Sequence, residues 1–416
     1  MKTRAFIILL TVGALLLSAC GQSAPAATDV PVDSVATDVS VDSAALADEW
    51  GSLVFKPGEK VKVGLSSALS SSYAVYGQDM LNGVSLAIDE FGGSLKGWKL
   101  VAEGQDDLCD GAPGVTVAEK FSADPAVLGV VGPMCSGSAV PALDIYAANH
   151  VIMITPSSTA VVVTAKGFEN VFRTVANDEL QATVTVDFLT KELNLKTLAI
   201  LHDQSIYGEG LSAAVQSKFE EAGGTVTAFE GITRGESDYS AVVTNVTSGN
   251  PEAVYFGGMD AEGVKLVVQL RQAGFEGVFF GPDGIKSQPS FADAAGAAAE
   301  GSFMTFGAVA GAAGVEDFTT KFNTKFGGDP VAYGPGSFDS ATILLQAADS
   351  VAQVDAEGNL VVGRKALADA IRATPYTGVT GHLVFDEKGD LKVVSITVFT
   401  VKDGVITPVK EYPFGE

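Results

Sequence analysis

From Val61 onward, short aliphatic runs alternate with longer stretches of helical period, and this alternation narrows the fold more than any other feature of the chain. "VKVGLSS" (61–67), "KLVAEGQDD" (99–107), "AVLGVVG" (126–132) and "VIMITP" (151–156) read as strands. Between the first two, residues 77–91 set Met80, Leu81, Val84, Ala87, Ile88 and Phe91 at three- and four-residue spacings, the stripe of an amphipathic helix. Residues 115–123 and 138–148 continue the helical series. A second series follows. Its helices fall at 179–192, 208–222, 239–247 and 261–273. Its strands are "TLAILHD" (197–203), "GTVTAFE" (224–230), "EAVYFGG" (252–258) and "GVFFGPDG" (277–284). Strands this continuously aliphatic are covered on both faces, so the expected fold is α/β, with two doubly wound parallel-sheet lobes. The last third differs: helices at Val315–Phe326, 338–351 and 365–373 precede "GHLVFDEKGDLKVVSITVFTV" (381–401), which reads as a hairpin turning at Lys388-Gly389-Asp390.

The N-terminus is processing sequence, not fold. Lys2 and Arg4 precede "AFIILLTVGALLL" (5–17), which is short for a bilayer span and runs into "LSAC", ending at Cys20. That ending resembles the lipobox of bacterial lipoproteins. The resemblance implies a signal peptide over residues 1–19, acylation at Cys20 and a membrane anchor; an ordinary signal peptide with an incidental cysteine is the competing reading. Residues 20–58 are rich in Ala, Ser, Asp, Val and Pro, and are expected to form an extended acidic tether. No later run reads as a transmembrane helix.

A formal charge of −24 offers no basic stripe to displace counterions from phosphates, so a nucleic-acid partner is excluded. The three histidines, His150, His202 and His382, have no metal-ligand spacing, and no metal or cofactor is expected. With Cys20 acylated, Cys109 and Cys135 remain as an even pair in an oxidising compartment. A disulfide between them, closing a loop of 26 residues, is favoured over a zinc site and is worth roughly 3.5 kcal/mol in the chain-entropy model.

In open parallel sheets, ligands bind beyond the carboxyl ends of the strands, where helix N-termini present free N–H groups. The loops there are "ALSSSYAVYG", "GPMCSGS", "ITPSSTA", "HDQSIYGEG", "GGMDAEG" and "GPDG". Hydroxyls, glycines and methionines with few charges suit a small, partly apolar ligand that carries a carboxylate or similar anion. The adjacency of Cys135 and Ser136 suggests a nucleophile. However, Met-Cys-Ser-Gly-Ser is not G-x-S-x-G, and no histidine has a motif-based claim as base, so no catalytic residue is assigned and an exported hydrolase is disfavoured.

These loops resemble, in order and spacing, those of the leucine/isoleucine/valine-binding proteins of ABC importers, the type I periplasmic binding proteins. The matching stretches are "AVYGQDMLNGVSLAIDE" (74–90), "DDLCDG" (106–111), "GPMCSGSAVPALDIY" (132–146), "ITPSSTA" (154–160), "HDQSIYGEGL" (202–211), "GITRGESDYSA" (231–241), "YFGG" (255–258), "GPDG" (281–284) and "DEKGDLK" (386–392). The resemblance implies two lobes joined by a three-strand hinge: residues 59–177 and 308–395 in the N-terminal lobe, 178–307 and 396–416 in the C-terminal one. It implies the Cys109–Cys135 disulfide as well. The ligand carboxylate would meet Ser136, Ser157 and Thr159; the ammonium would meet Asp283, with the shorter reach of Asp where the family pattern has Glu. Tyr76, Met134, Tyr207, Met259 and Tyr333 would form the side-chain pocket, with Asp178 near the hinge. Met259 stands where relatives often carry tyrosine and Ser157 where they often carry alanine, so the side-chain preference is open. The implied function is that of an extracytoplasmic, lipid-anchored, monomeric binding protein. It would deliver a small amino acid, branched-chain above all, to an ABC permease. A sensory domain of the same fold, or binding of an aromatic amino acid or small amide, is the alternative.

Overall fold

The computed structural model describes residues 48–307 and 314–415. The signal-peptide stretch 1–19, Cys20 and the tether up to residue 47 lie outside the described residues.

The first part of the chain forms β1 (Ser52–Phe55), β2 (Val61–Ser67), α1 (Ala74–Glu90), β3 (Ser94–Leu95), β4 (Trp98–Asp106), α2 (Gly111–Ala123), β5 (Val127–Val131), α3 (Ser136–Ala148), β6 (Met153–Thr155), α4 (Val162–Ala165) and β7 (Val171–Arg173). Its sheet runs β3-β4-β2-β5-β6-β7, parallel except for the short β3–β4 pair. The aliphatic alternation covers both faces. Along β5, Val127 and Val130 pack with Val117 and Phe121 of α2 and Leu143 of α3, while Leu128 and Val131 pack on the opposite side with Met80 and Val84 of α1.

The second part contains α5 (Asp178–Asp187), whose last turn widens over Phe188–Glu192. It continues with β8 (Thr197–His202), α6 (Ile206–Glu221), β9 (Thr225–Gly231), α7 (Ser240–Ser248), β10 (Ala253–Gly257), α8 (Asp260–Gln272), β11 (Val278–Gly281) and β12 (Phe303–Phe306). The remainder comprises α9 (Val315–Phe326), α10 (Gly334–Val351), β13 (Gln353–Val354), β14 (Leu360–Gly363), α11 (Arg364–Ala373), β15 (Tyr376–Gly378), β16 (Gly381–Leu383), β17 (Val394–Lys402) and β18 (Val405–Phe414). Seven strands make the second sheet in the order β18-β17-β12-β11-β10-β8-β9. Helices α9 and α10 return to pack on α1 of the first sheet. The chain thus passes between the sheets three times: after β7, after β12 and before β17.

Two expectations need correction. Residues 52–55, assigned to the tether, form β1: it pairs antiparallel with β14 and buries Leu53 and Phe55, while Trp50 stacks on His150 with ring centroids 4.7 Å apart. Three large apolar side chains within six residues are enough to dock this segment. The turn at 388–390 exists, but the expected hairpin around it shrinks to one bridge, Phe385 with Leu391, and β17 pairs instead with β12 and β18. The turn docks on β7. Arg173 N–H donates to Gly389 O at 2.8 Å, and a Cβ on Gly389 (φ +91°) would stand 2.1 Å from Val171 O. With the turn held there, the strand after it leaves for the other sheet.

Candidate ligand-binding site

The two sheets present their strand ends to each other across a narrow cleft. On the first side, the backbone turns at Gly132 (φ +98°), where a Cβ would come within 2.3 Å of Ser66 O. The next residues run through Met134 and Cys135, and Cys135 is disulfide-bonded to Cys109. Cys135 stands at the N-cap of α3, so Ser136 occupies the first helical position, where backbone N–H groups have no intrahelical partner. Ser136 Oγ accepts from Ala160 N at 3.1 Å, which joins this helix start to the loop after β6.

That loop, residues 156–160, is ordered by hydroxyl and guanidinium bonds. Ser157 Oγ donates to Met134 O at 2.9 Å, Ser158 Oγ to Pro133 O at 2.8 Å, and Thr155 Oγ1 accepts from Ser158 N at 2.9 Å. Beneath them lies Arg173, fully buried. Its Nη1 donates to Thr159 O (2.9 Å) and Ala160 O (2.7 Å), and its Nε and Nη2 hold Asp390 Oδ1 at 2.9 and 2.6 Å. A buried guanidinium that satisfies three segments at once fixes their relative positions through directional, charge-assisted bonds.

The second side carries acids. Asp283 follows β11 and Pro282, and its Oδ1 accepts from Tyr207 OH at 2.7 Å and from Gln181 Nε2 at 2.9 Å. Its Oδ2 accepts from Tyr333 OH at 3.2 Å, a bond that reaches over from the first side. Tyr333 is itself held by Asp79 of α1, whose carboxylate accepts from the N–H groups of Val331, Ala332, Tyr333 and Gly334 at 2.6–3.0 Å. Gln181 Nε2 also donates to Asp178 Oδ1 at 3.3 Å, so one amide bridges two carboxyl groups.

Asp178 and Asp283 are both buried, and among the described residues neither forms an ion pair. Burial, reinforced by the charge of Asp283, pushes the Asp178 carboxyl up to about 8. Burial raises Asp283 too, against the pull of its bonds from Tyr207, Gln181 and Tyr333. Asp178 Oδ2 has no hydrogen bond, and neither has the buried Thr159 Oγ1. The hydroxyl is near enough to draw the carboxyl's pKa downward, yet it stands outside hydrogen-bond geometry.

Of the residues singled out from the sequence, Met134, Ser136, Ser157, Tyr207, Met259, Asp283 and Tyr333 line this cleft, as does the Cys109–Cys135 disulfide. Thr159 and Asp178 stand one layer behind it, joined backbone to backbone by Asp178 N–H to Thr159 O at 2.9 Å. Tyr76 is placed differently from the expectation. It is buried against the Tyr333 ring, 5.5 Å centroid to centroid, and its OH donates to Asp260 Oδ2 at 2.6 Å across the lobes. Tyr73 repeats the pattern with Glu262 Oε2 at 3.3 Å. Burial moves Asp260 up to about 6. Arg173, Gln181, Asp260 and Glu262 went unread in the sequence, because each acts on a partner at least 100 residues away or through a backbone carbonyl. Among the described residues no group of three or more His, Cys, Asp or Glu could hold a metal ion, and no helix is long and apolar enough to cross a membrane.

Chemically the cleft is two-ended. One side offers helix-start N–H groups and hydroxyls; the other offers Asp283 with Asp178 behind it, and Arg234 lines the same cleft without an ion pair to either acid among the described residues. The walls between them are thioethers and phenol rings.

Comparison with known proteins agrees with this architecture. A family model described as periplasmic binding protein matches residues 60–405. The chain is 34% identical, over 85% of its length and 93% of the relative's, to a leucine-, isoleucine-, valine-, threonine- and alanine-binding protein of Pseudomonas aeruginosa. It is 32% identical to the Leu/Ile/Val-binding protein of Escherichia coli K12, over 82% of this chain and 90% of that one. Among solved structures, a leucine binding protein from Thermotoga maritima superposes with a TM-score of 0.77 at 26% identity, covering 84% of this chain and 98% of that one.

Proposed function

The chain belongs to the periplasmic binding protein family, and from that premise we propose that it binds a small α-amino acid with an aliphatic side chain between its lobes and delivers it to an ABC permease. It is a binding protein, not an enzyme. The observation that carries the reading is the buried pair Asp178 and Asp283, bridged by Gln181 and, among the described residues, forming no ion pair. Two buried carboxyls that the Arg173 charge offsets only in part are costly, and a ligand ammonium relieves that cost while a plain carboxylate would add to it. Opposite the acids, the first N–H groups of α3 and the Ser136 hydroxyl, with Ser157 beside them, favour the ligand's carboxylate. Met134, Met259, Tyr207 and Tyr333 enclose the side chain.

The lobes comprise residues 52–177 with 314–393, and 178–307 with 394–415. Ligand contacts to both sides favour the closed arrangement, in which the Tyr76–Asp260 and Tyr333–Asp283 bonds span the cleft. The closed form is what the permease recognises. The protein works as a monomer outside the cytoplasm, held by a lipid on Cys20 and a tether that ends before β1.

Calorimetry on protein stripped of carried-over ligand tests the reading with leucine, 4-methylpentanoate and 3-methylbutylamine. Leucine is expected to bind, and either half-ligand to bind about a hundredfold more weakly or worse, since each leaves a buried polar group unpaired. No heat with any amino acid, or equal affinity for leucine and 4-methylpentanoate, would overturn it.

A further inference from the structure

Behind the amino-acid cleft, at the hinge, lies a second and larger cavity of about 490 Å³, with Tyr333 lining both. Its walls come from both lobes: Thr174, Val175 and Pro335 from one side, Lys286, Phe306 and Phe399 from the other. Lys286 is the residue that the amino-acid site does not use. It sits on the same short turn as Asp283, its backbone N–H donating to Asp283 O at 3.0 Å, while its side chain runs toward the hinge cavity. There Nζ lies over two aromatic faces, 4.6 Å from the Phe306 centroid and 5.2 Å from that of Phe399.

Among the described residues Lys286 has neither an ion pair nor a hydrogen bond to Nζ, and burial lowers its pKa. The surrounding acids are engaged elsewhere. Asp79 spends its carboxylate on four backbone N–H groups, and Asp329, which also lines the cavity, accepts from Asn323 Nδ2 at 2.7 Å. Cation–π contact recovers part of the ammonium's lost hydration, but it supplies no acceptor for the three N–H donors. The rest of the wall mixes apolar side chains, Val331 and Val379 among them, with the threonines Thr174, Thr319 and Thr380.

We propose that this hinge cavity is a second ligand site, which takes a small organic carboxylate with an apolar body and pairs its anionic end with Lys286. The apolar body meets Val175, Pro335 and the edges of Phe306 and Phe399, while the carboxylate supplies the acceptors that Nζ lacks among the described residues. Because the walls belong to both lobes, an occupant is sensitive to the closure angle. Because Lys286 and Asp283 share a turn, and Phe306 stacks on Tyr333 at 6.2 Å, it adjoins the amino-acid cleft mechanically.

Benzoate is the probe, titrated into the full chain by calorimetry without any amino acid present, so the result stands apart from the amino-acid reading. Binding is expected in the wild type, weakened about tenfold or more in Lys286→Gln and largely kept in Lys286→Arg, because the charge is retained. Ser136→Ala, which alters the amino-acid cleft, is expected to leave benzoate affinity unchanged. Absence of benzoate binding at millimolar concentration overturns the proposal. So does equal affinity in Lys286→Gln, a loss in Lys286→Arg as severe as in Lys286→Gln, or a tenfold loss in Ser136→Ala, which would place benzoate in the cleft.

Discussion

If the Asp178–Asp283 pair awaits an ammonium, ligand binding must expel a proton. The Asp178 carboxyl rises from 3.8 to about 8 in the ligand-free site, so at neutral pH the pair keeps a proton. The groups facing it are Asp283, the phenols of Tyr207 and Tyr255, and Arg173, whose positive charge lowers the pKa only in part. An ammonium arriving between the two acids favours the ionised form and displaces that proton. Affinity for an amino acid should therefore tighten as pH rises toward about 8, by up to tenfold per pH unit, and level off above it. Asp260 titrates near 6 and perturbs the lower end, so the clean window is about pH 6.5 to 8, where the full effect is about fifteenfold, or 1.6 kcal/mol. Stability of the ligand-free protein runs the other way. A carboxyl whose folded pKa lies above its unfolded value contributes most below the unfolded value, and loses that contribution as pH climbs through about 8. The thermal midpoint of ligand-free protein should fall across the window, and saturating leucine should flatten the decline. Calorimetry in phosphate and in Tris at each pH counts the protons released, because the two buffers differ in ionisation heat. In Asp178→Asn, release should drop toward zero and the affinity should lose its slope. Identical heats in both buffers, or an unchanged slope in Asp178→Asn, would refute the reasoning.

Two further outcomes follow from the geometry. Replacing the buried Arg173 by Met strands Asp390 and the carbonyls of Thr159 and Ala160. A loss of about 3–5 kcal/mol in denaturant unfolding is expected, with Arg173→Lys as a milder companion that still weakens leucine binding; unaltered binding in Arg173→Lys would count against its positioning role. Tyr76→Phe removes the 2.6 Å interlobe bond to Asp260 and should raise the leucine off-rate by about five- to thirtyfold with little change in on-rate, a difference that stopped-flow displacement reads directly.

The architecture was largely legible in the sequence, because strands buried on both faces must be aliphatic throughout. Val127–Val131 and Ala253–Gly257 are buried at every residue and were read as strands from that property alone. Helix starts were read late for a related reason. Helix α3 begins at Ser136 and α6 at Ile206, two residues before the expected 138 and 208, since apolar periodicity begins only after the first turn. Those first turns face the cleft and carry small or polar residues. The positions that escape the periodicity are thus the ones that touch the cleft. The hairpin of β17 and β18 was not legible: "VITPVKEYPF" mixes proline and charge along an edge strand and shows no clean alternation.

The candidate site divides along the same line. The stretches holding Ser136, Asp283 and Tyr207 could be singled out because each follows a strand, and local sequence carries that information; the role of each residue came from the family resemblance. What local sequence does not carry is how such stretches are held at the right distance from one another. Arg173 joins the loop after β6 to Asp390, 217 residues away, and Gln181 ties Asp178 to Asp283, 102 residues beyond itself. Asp79 holds Tyr333 over a separation of 254. Each of these is a buried polar side chain whose bonds satisfy groups from remote segments, and burial of that kind is costly unless every bond is made. A chain that folds with these bonds unmade would leave several polar groups stranded in a dry interior. The same network that aligns the hydroxyls with the acids therefore penalises any packing of the lobes that misaligns them. This makes the geometry of the cleft a condition of folding, not an addition to it.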